Sequence, residues 1–177
     1  MKESNKNNFN HLKIHTQYSI CEGAIKIDQL KNYCKINKIK SLGISDTYNL
    51  SGALEFSENL SSVGTQPIIG TQILFKFKNI FGLIPLIAMN IEGYKNIIEL
   101  SSKSYLENDN LNDPHCSFDD LLTNNNGIIV LSGSTNSLIG KLFNKGLFEE
   151  IDFIYNKLAN FFSNNFYIEI QRHNDLN

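Results

Sequence analysis

Two segments of this 177-residue chain set polar residues at the ends of short apolar runs. In FNHLKIHTQYS (Phe9–Ser19), His11, Lys13 and His15 alternate with Leu12 and Ile14. Side chains in a strand alternate between faces, so these three share one. Imidazoles in such a row can converge on a metal ion. The middle position, however, is Lys13, whose protonated amine has no lone pair to offer and repels a cation. The row has the form of a metal site with one ligand replaced. The second segment, ISDTYNLSGALEF (Ile44–Phe56), places Asp46 and Thr47 at a strand end. Asp46 reads equally as a turn former, since Asp side chains readily bond their own backbone. His11 reads as a structural histidine held by a hydrogen bond.

These residues need elements to position them. Strands are expected over His11–His15, Ser41–Ile44, Pro67–Phe75, Leu83–Met89, Gly127–Leu131 and Asn165–Gln171. Helices are expected over Ile27–Ile36, Ala53–Val63, Tyr94–Leu106, Phe118–Leu122 and Leu147–Phe162, from apolar spacing near 3.6. Ser117 is placed to cap the fourth of these, with Asp119 and Asp120 in its first turn. The β–α alternation points to an α/β protein with a largely parallel sheet, in which chemistry gathers at the C-terminal strand ends. Gly43 and Gly70 are expected to permit close backbone approach. Glu107–Pro114 reads as a polar loop, and His115–Cys116 as a surface pair beyond it.

Composition excludes several classes. A formal net charge of −2 and a pI near 6.1 give no basic footprint, so autonomous nucleic-acid binding through phosphate neutralisation is not expected. Three cysteines without C-x-x-C spacing read as reduced thiols in a cytoplasmic protein. The polar start MKESNKNNFN is no signal peptide, and no apolar run has membrane-spanning length, so no membrane partner is expected. Neither a G-x-G-x-x-G motif nor a P-loop is present, and Ser132-Gly133-Ser134 is not a nucleophile elbow.

Seven segments in order carry a resemblance: HLKIHTQYS (His11–Ser19), EGAIKIDQL (Glu22–Leu30), GISDTYNLSGALEF (Gly43–Phe56), QPIIGTQI (Gln66–Ile73), LIAMNIEGYKNIIELSSKSYLE (Leu86–Glu107), GIIVLSG (Gly127–Gly133) and FYIEIQRH (Phe166–His173). Together they resemble the N-terminal PHP (polymerase and histidinol phosphatase) domain of bacterial DNA polymerase III alpha subunits. The resemblance implies a distorted parallel β/α barrel, TIM-barrel-like and incomplete in this chain, over 9–177, behind a disordered tail 1–8. Metal-binding members read H-x-H where Lys13 and His15 stand, Asp-His at Asp46-Thr47, Glu at Gln72, His at Leu83 and Cys at Ser134. By that correspondence these seven are vestigial metal-site positions. His15 and Asp46 alone remain as candidate ligands, with Lys13 expected to pair with Asp46 in the metal's place, and no metal is expected in this chain. Gln171, Arg172 and His173 form the polar cluster nearest the implied cleft.

The resemblance further implies a non-catalytic portion of a replicative DNA polymerase. That portion would stabilise the polymerase and dock the proofreading exonuclease subunit. Its other partners would be the remainder of the alpha subunit and other replicase subunits, with DNA reached only through the parent. Mg would serve the parent's polymerase domain, in which the polymerase carboxylates sit. Two alternatives are a residual metal-dependent phosphoesterase or 3′–5′ exonuclease, and a free-standing binding module. An unclosed sheet would also leave an exposed edge in the isolated chain.

Overall fold

Two residues, Lys78 and Asn79, separate the apolar runs Gln66–Phe77 and Ile80–Ala88, and that spacing shapes the architecture. A two-residue link reverses a strand, whereas a parallel crossover needs a dozen residues or more. The computed structural model describes residues 9–108 and 113–171 and pairs these runs antiparallel, with Lys78 in the left-handed region at φ 52°. The described elements are α1 (Ile27–Asn37), β1 (Ser41–Thr47), α2 (Ala53–Ser61), β2 (Gln66–Phe77), β3 (Ile80–Ala88), α3 (Ile91–Leu106), β4 (His115–Ser117), α4 (Phe118–Thr123), β5 (Ile128–Leu131), α5 (Leu138–Asn144), α6 (Phe148–Phe162), a 3-10 turn (Ser163–Asn165) and β6 (Phe166–Tyr167).

The sheet runs β1-β2-β3-β5-β6, with β4 also paired to β2, beyond the end of β1. Pairings β1/β2, β2/β4 and β5/β6 are parallel, and both pairings of β3 are antiparallel. The fold is therefore mixed α/β around a six-stranded sheet, and the expectation of a largely parallel sheet is corrected at β3. Among the described residues no helix is long and apolar enough to cross a membrane.

Other boundaries moved for local reasons. Helix α3 starts before Tyr94 because the Asn90 side chain accepts from Gly93 N at 2.9 Å and caps it. Helix α5, not expected from the sequence, is capped by Ser137 in the same way. Strand β6 is two residues long, far shorter than Asn165–Gln171. His115 and Cys116 are in β4 instead of a surface loop. The Cys116 thiol is buried and donates to Leu100 O, and burial pushes its pKa up to about 12. The tail 1–8 lies outside the described residues.

His11–His15 is not a full strand. It lies along the free edge of β1 through Gly43 N to His11 O, Ile14 N to Gly43 O and Ser45 N to Ile14 O, with one parallel bridge, Ile14 to Ile44. A Cβ at Gly43 would sit 2.6 Å from Leu12 O, so glycine is what admits this backbone.

Strand alternation gives the sheet one helix-covered face. On it Ile73, Phe75, Ile84, Leu86, Ile128 and Val130 pack beneath α3 to α6, and Leu42 and Ile44 pack with α1 and α2. Each fully buried side chain of this size contributes about 1.5–3 kcal/mol. Ile14 joins the second cluster, which turns Lys13 and His15 to the opposite face, where the paired Thr47 and Gln72 also lie.

Candidate functional site

The chemistry-bearing residues gather at the strand ends, with Lys13, His15, Thr47 and Gln72 on that helix-free side. Asp46, next to last in β1, points with Leu42 and Ile44 to the helix-covered side and is 1% exposed. Its Oδ1 accepts Thr16 N and Ser19 Oγ, both at 2.6 Å, and its Oδ2 accepts Thr16 Oγ1 at 2.7 Å. The turn Thr16–Ser19 is thereby wrapped around one carboxylate. Ser19 Oγ in turn accepts Thr47 N at 3.1 Å.

His15 lies between this turn and β2. Its Nδ1 is 3.5 Å from Ser19 Oγ and its Nε2 is 3.4 Å from Gln72 Nε2. The amide can only donate there, so the surrounding network assigns the proton to Nδ1 and makes Nε2 the acceptor. Gln72 also donates to Thr47 Oγ1, which donates to Glu22. Asp46 takes the Ser19 proton directly, with no imidazole between them, so these groups do not form a nucleophilic relay.

Lys13 corrects an expectation. Its ammonium pairs with Glu169, 3.2 Å and 3.3 Å from the two carboxylate oxygens, and not with Asp46, both of whose oxygens already accept hydrogen bonds. Both side chains are largely shielded, 17% and 15% exposed. Glu169 N is held by Ser132 Oγ at 2.9 Å, and its carboxylate also accepts from Gln171. Ser134 lies apart from His15 and Gln72, in a cleft of about 520 Å³ that it shares with Glu169 and Gln171. Leu83 sits on β3 opposite Leu74, half-buried and without a donor atom to offer a metal. Arg172 and His173 lie outside the described residues.

These residues do not fit a metal ion. The Asp46 oxygens are engaged by short donors, the His15 acceptor faces an amide N–H, and Lys13 supplies positive charge beside them. Among the described residues no group of three or more His, Cys, Asp or Glu is arranged to hold one. The one buried side-chain polar atom without a partner among them is Ser45 Oγ, a neutral hydroxyl.

Sequence reasoning singled out neither Thr16, Ser19 and Glu22 nor Glu169. Glu169 carries a signal: it is the lone acid in the alternating run Phe166–Gln171, on the face opposite Ile168 and Ile170.

The chain is 33% identical to the DNA polymerase III subunit alpha of Caulobacter vibrioides, over 98% of its own length and 16% of that protein. The same subunit of Rickettsia felis is 34% identical over 93% and 14%, and that of Haemophilus influenzae 32% over 96% and 15%. The chain thus spans about a sixth of these relatives. Among solved structures, a protein described as a metal-dependent phosphoesterase from Bifidobacterium adolescentis is 16% identical, with a TM-score of 0.40 over 87% of this chain and 55% of that one. An amidohydrolase from Chromobacterium violaceum is 11% identical, with a TM-score of 0.41 over 83% and 54%. The match to the PHP domain family covers residues 11–173, from the His11 row to the exit of β6, and the chain belongs to that family.

Proposed function

We propose that this chain acts as the PHP portion of a replicative DNA polymerase III alpha subunit, and that this portion is a non-catalytic scaffold. It stabilises the polymerase and docks the separate proofreading exonuclease subunit. DNA synthesis, its Mg ions and its carboxylates belong to other parts of the parent, which works in the cytoplasm with the other replicase subunits. One observation carries the reading: at the strand ends both oxygens of Asp46 accept from Thr16 and Ser19, while Lys13 is paired with Glu169. Groups that in a hydrolytic centre would face a cation here hold one another. The similarity to alpha subunits across nearly the whole chain supports the polymerase context.

The test uses the parent polypeptide, purified alone and with the exonuclease subunit, on a 3′-labelled primer with Mg, Mn or Zn. The expected result is no metal-dependent release of nucleotide from the parent alone, and release together with co-elution once the exonuclease subunit is added. Release by the parent alone that His15→Ala abolishes would overturn the scaffold reading. Failure of the two proteins to co-elute would remove the docking role.

A further inference from the structure

The positive charge of this chain is unevenly distributed. Five of its fifteen lysines, Lys26, Lys31, Lys35, Lys38 and Lys40, fall between residues 26 and 40, against one acid, Asp28, in a chain of formal net charge −2. Helix α1 buries Ile27, Leu30 and Cys34 against its neighbours; Lys31 and Lys35, four residues apart, lie on one flank of that stripe, Lys38 is the C-cap and Lys40 follows it, while Lys26 is the N-cap on the other flank. Lys26, Lys35, Lys38 and Lys40 are exposed and Lys31 is half-buried. Among the described residues none of the five is within ion-pair distance of a carboxylate.

Helix stability does not explain the arrangement. Lys35 and Lys38 complement the negative end of the helix dipole, but Lys26 is the N-cap, where a cation is disfavoured and where no side chain caps the helix. Tyr33 and Ile36, 55% and 78% exposed, stand among the lysines as uncovered bulky side chains. An 11-residue helix is about 16 Å long, long enough to span several phosphates of a duplex.

We infer that the flank and C-terminal end of α1, with Lys31, Lys35, Lys38 and Lys40, form a phosphate-contacting surface for double-stranded DNA. The inference rests on the polymerase reading proposed above, which supplies DNA as the polyanion. The surface makes backbone contacts that position and do not read sequence.

The test is fluorescence anisotropy of a short labelled duplex of mixed sequence, titrated with the full chain from about 50 to about 200 mM salt. The wild type is expected to weaken by roughly 10²–10³-fold over that range, the slope for four or five phosphate contacts. The triple variant Lys31→Ala, Lys35→Ala, Lys40→Ala should bind at least tenfold more weakly at low salt, with a salt slope smaller by about 3. Alanine keeps the helix, which circular dichroism checks. The control Lys141→Ala, Lys145→Ala, on α5 and just beyond it, should leave both quantities unchanged. A triple variant with the wild-type slope, or a wild type that does not bind the duplex at about 50 mM salt, overturns the inference. In the second case, capture of polyglutamate by the wild type and not by the triple variant would assign the face to an acidic protein. This assay reads neither nucleotide release nor co-elution with the exonuclease subunit, so its failure and that of the scaffold reading are separate results.

Discussion

Asp46 has the residue type of a metal ligand, and in this fold it is a hydrogen-bond acceptor for the turn that follows the His11 row. A ligating carboxylate keeps a lone pair directed at the ion. Asp46 instead accepts three hydrogen bonds from Thr16 and Ser19 and is buried while doing so. Bonds to a charged, buried acceptor are among the stronger ones, about 1.5–3 kcal/mol each. Asp46→Asn keeps the size but turns one acceptor into a donor that opposes a donor already there. We expect it to cost about 3 kcal/mol in the metal-free protein, read as a lower urea midpoint at constant m. A ligand-only role makes the opposite prediction, stability unchanged without metal and metal affinity lost. An unchanged midpoint would therefore return Asp46 to the list of ligands.

At the scale of the element, α4 shows what short-range sequence can specify. Ser117 Oγ accepts Asp120 N at 3.1 Å, Asp120 Oδ2 accepts Ser117 N at 2.8 Å, and Lys103 from α3 closes on Asp120 Oδ1 at 2.7 Å. Burial pushes the Asp120 carboxyl up, but the Lys103 and Ser117 hydrogen bonds outweigh it and hold the group below its ordinary value. A depressed carboxylate adds stability that is complete above its unfolded pKa of about 3.9 and lost as pH falls through the folded value. Unfolding free energy followed from about pH 6 down to about pH 2 should fall less steeply in Asp120→Asn than in the wild type below about pH 4; equal slopes would remove Asp120 from the acid response. This cap was legible because Ser117, Asp119 and Asp120 are neighbours in sequence. Helices α1 and α2 and the core of the sheet were legible for the same reason, through local periodicity. Strand β4 was not, since three residues, His115–Ser117, carry no period and form a strand only because β2 runs past the end of β1. Nor was the antiparallel course of β3, although the two-residue link at Lys78-Asn79 carried it. The strand-end residues were found by type and spacing, but their partners Thr16, Ser19 and Glu169 were fixed by tertiary packing that no local pattern records.

At the scale of the whole molecule, the Lys13–Glu169 pair joins what the strand order keeps apart. The segment bearing Lys13 lies along the outer edge of β1, and Glu169 follows β6 at the other edge, 156 residues away in sequence. Counting strands leaves those edges open; the ion pair draws the two margins of the sheet together across its helix-free face. Such a link is worth most when shielded, and breaking it from one side leaves a charge with no partner in a poorly solvated place. The single variants Lys13→Ala and Glu169→Ala should therefore each destabilise by more than the double variant implies if their effects simply added. A double-mutant cycle on urea unfolding should give a coupling of about 1–3 kcal/mol. Additive losses would mean that the pair forms without holding the edges, and that the fold is kept together by its two apolar clusters. Coupling of the expected size would mean that a lysine at the centre of the row serves the fold by tying its first described segment to the segment that follows β6.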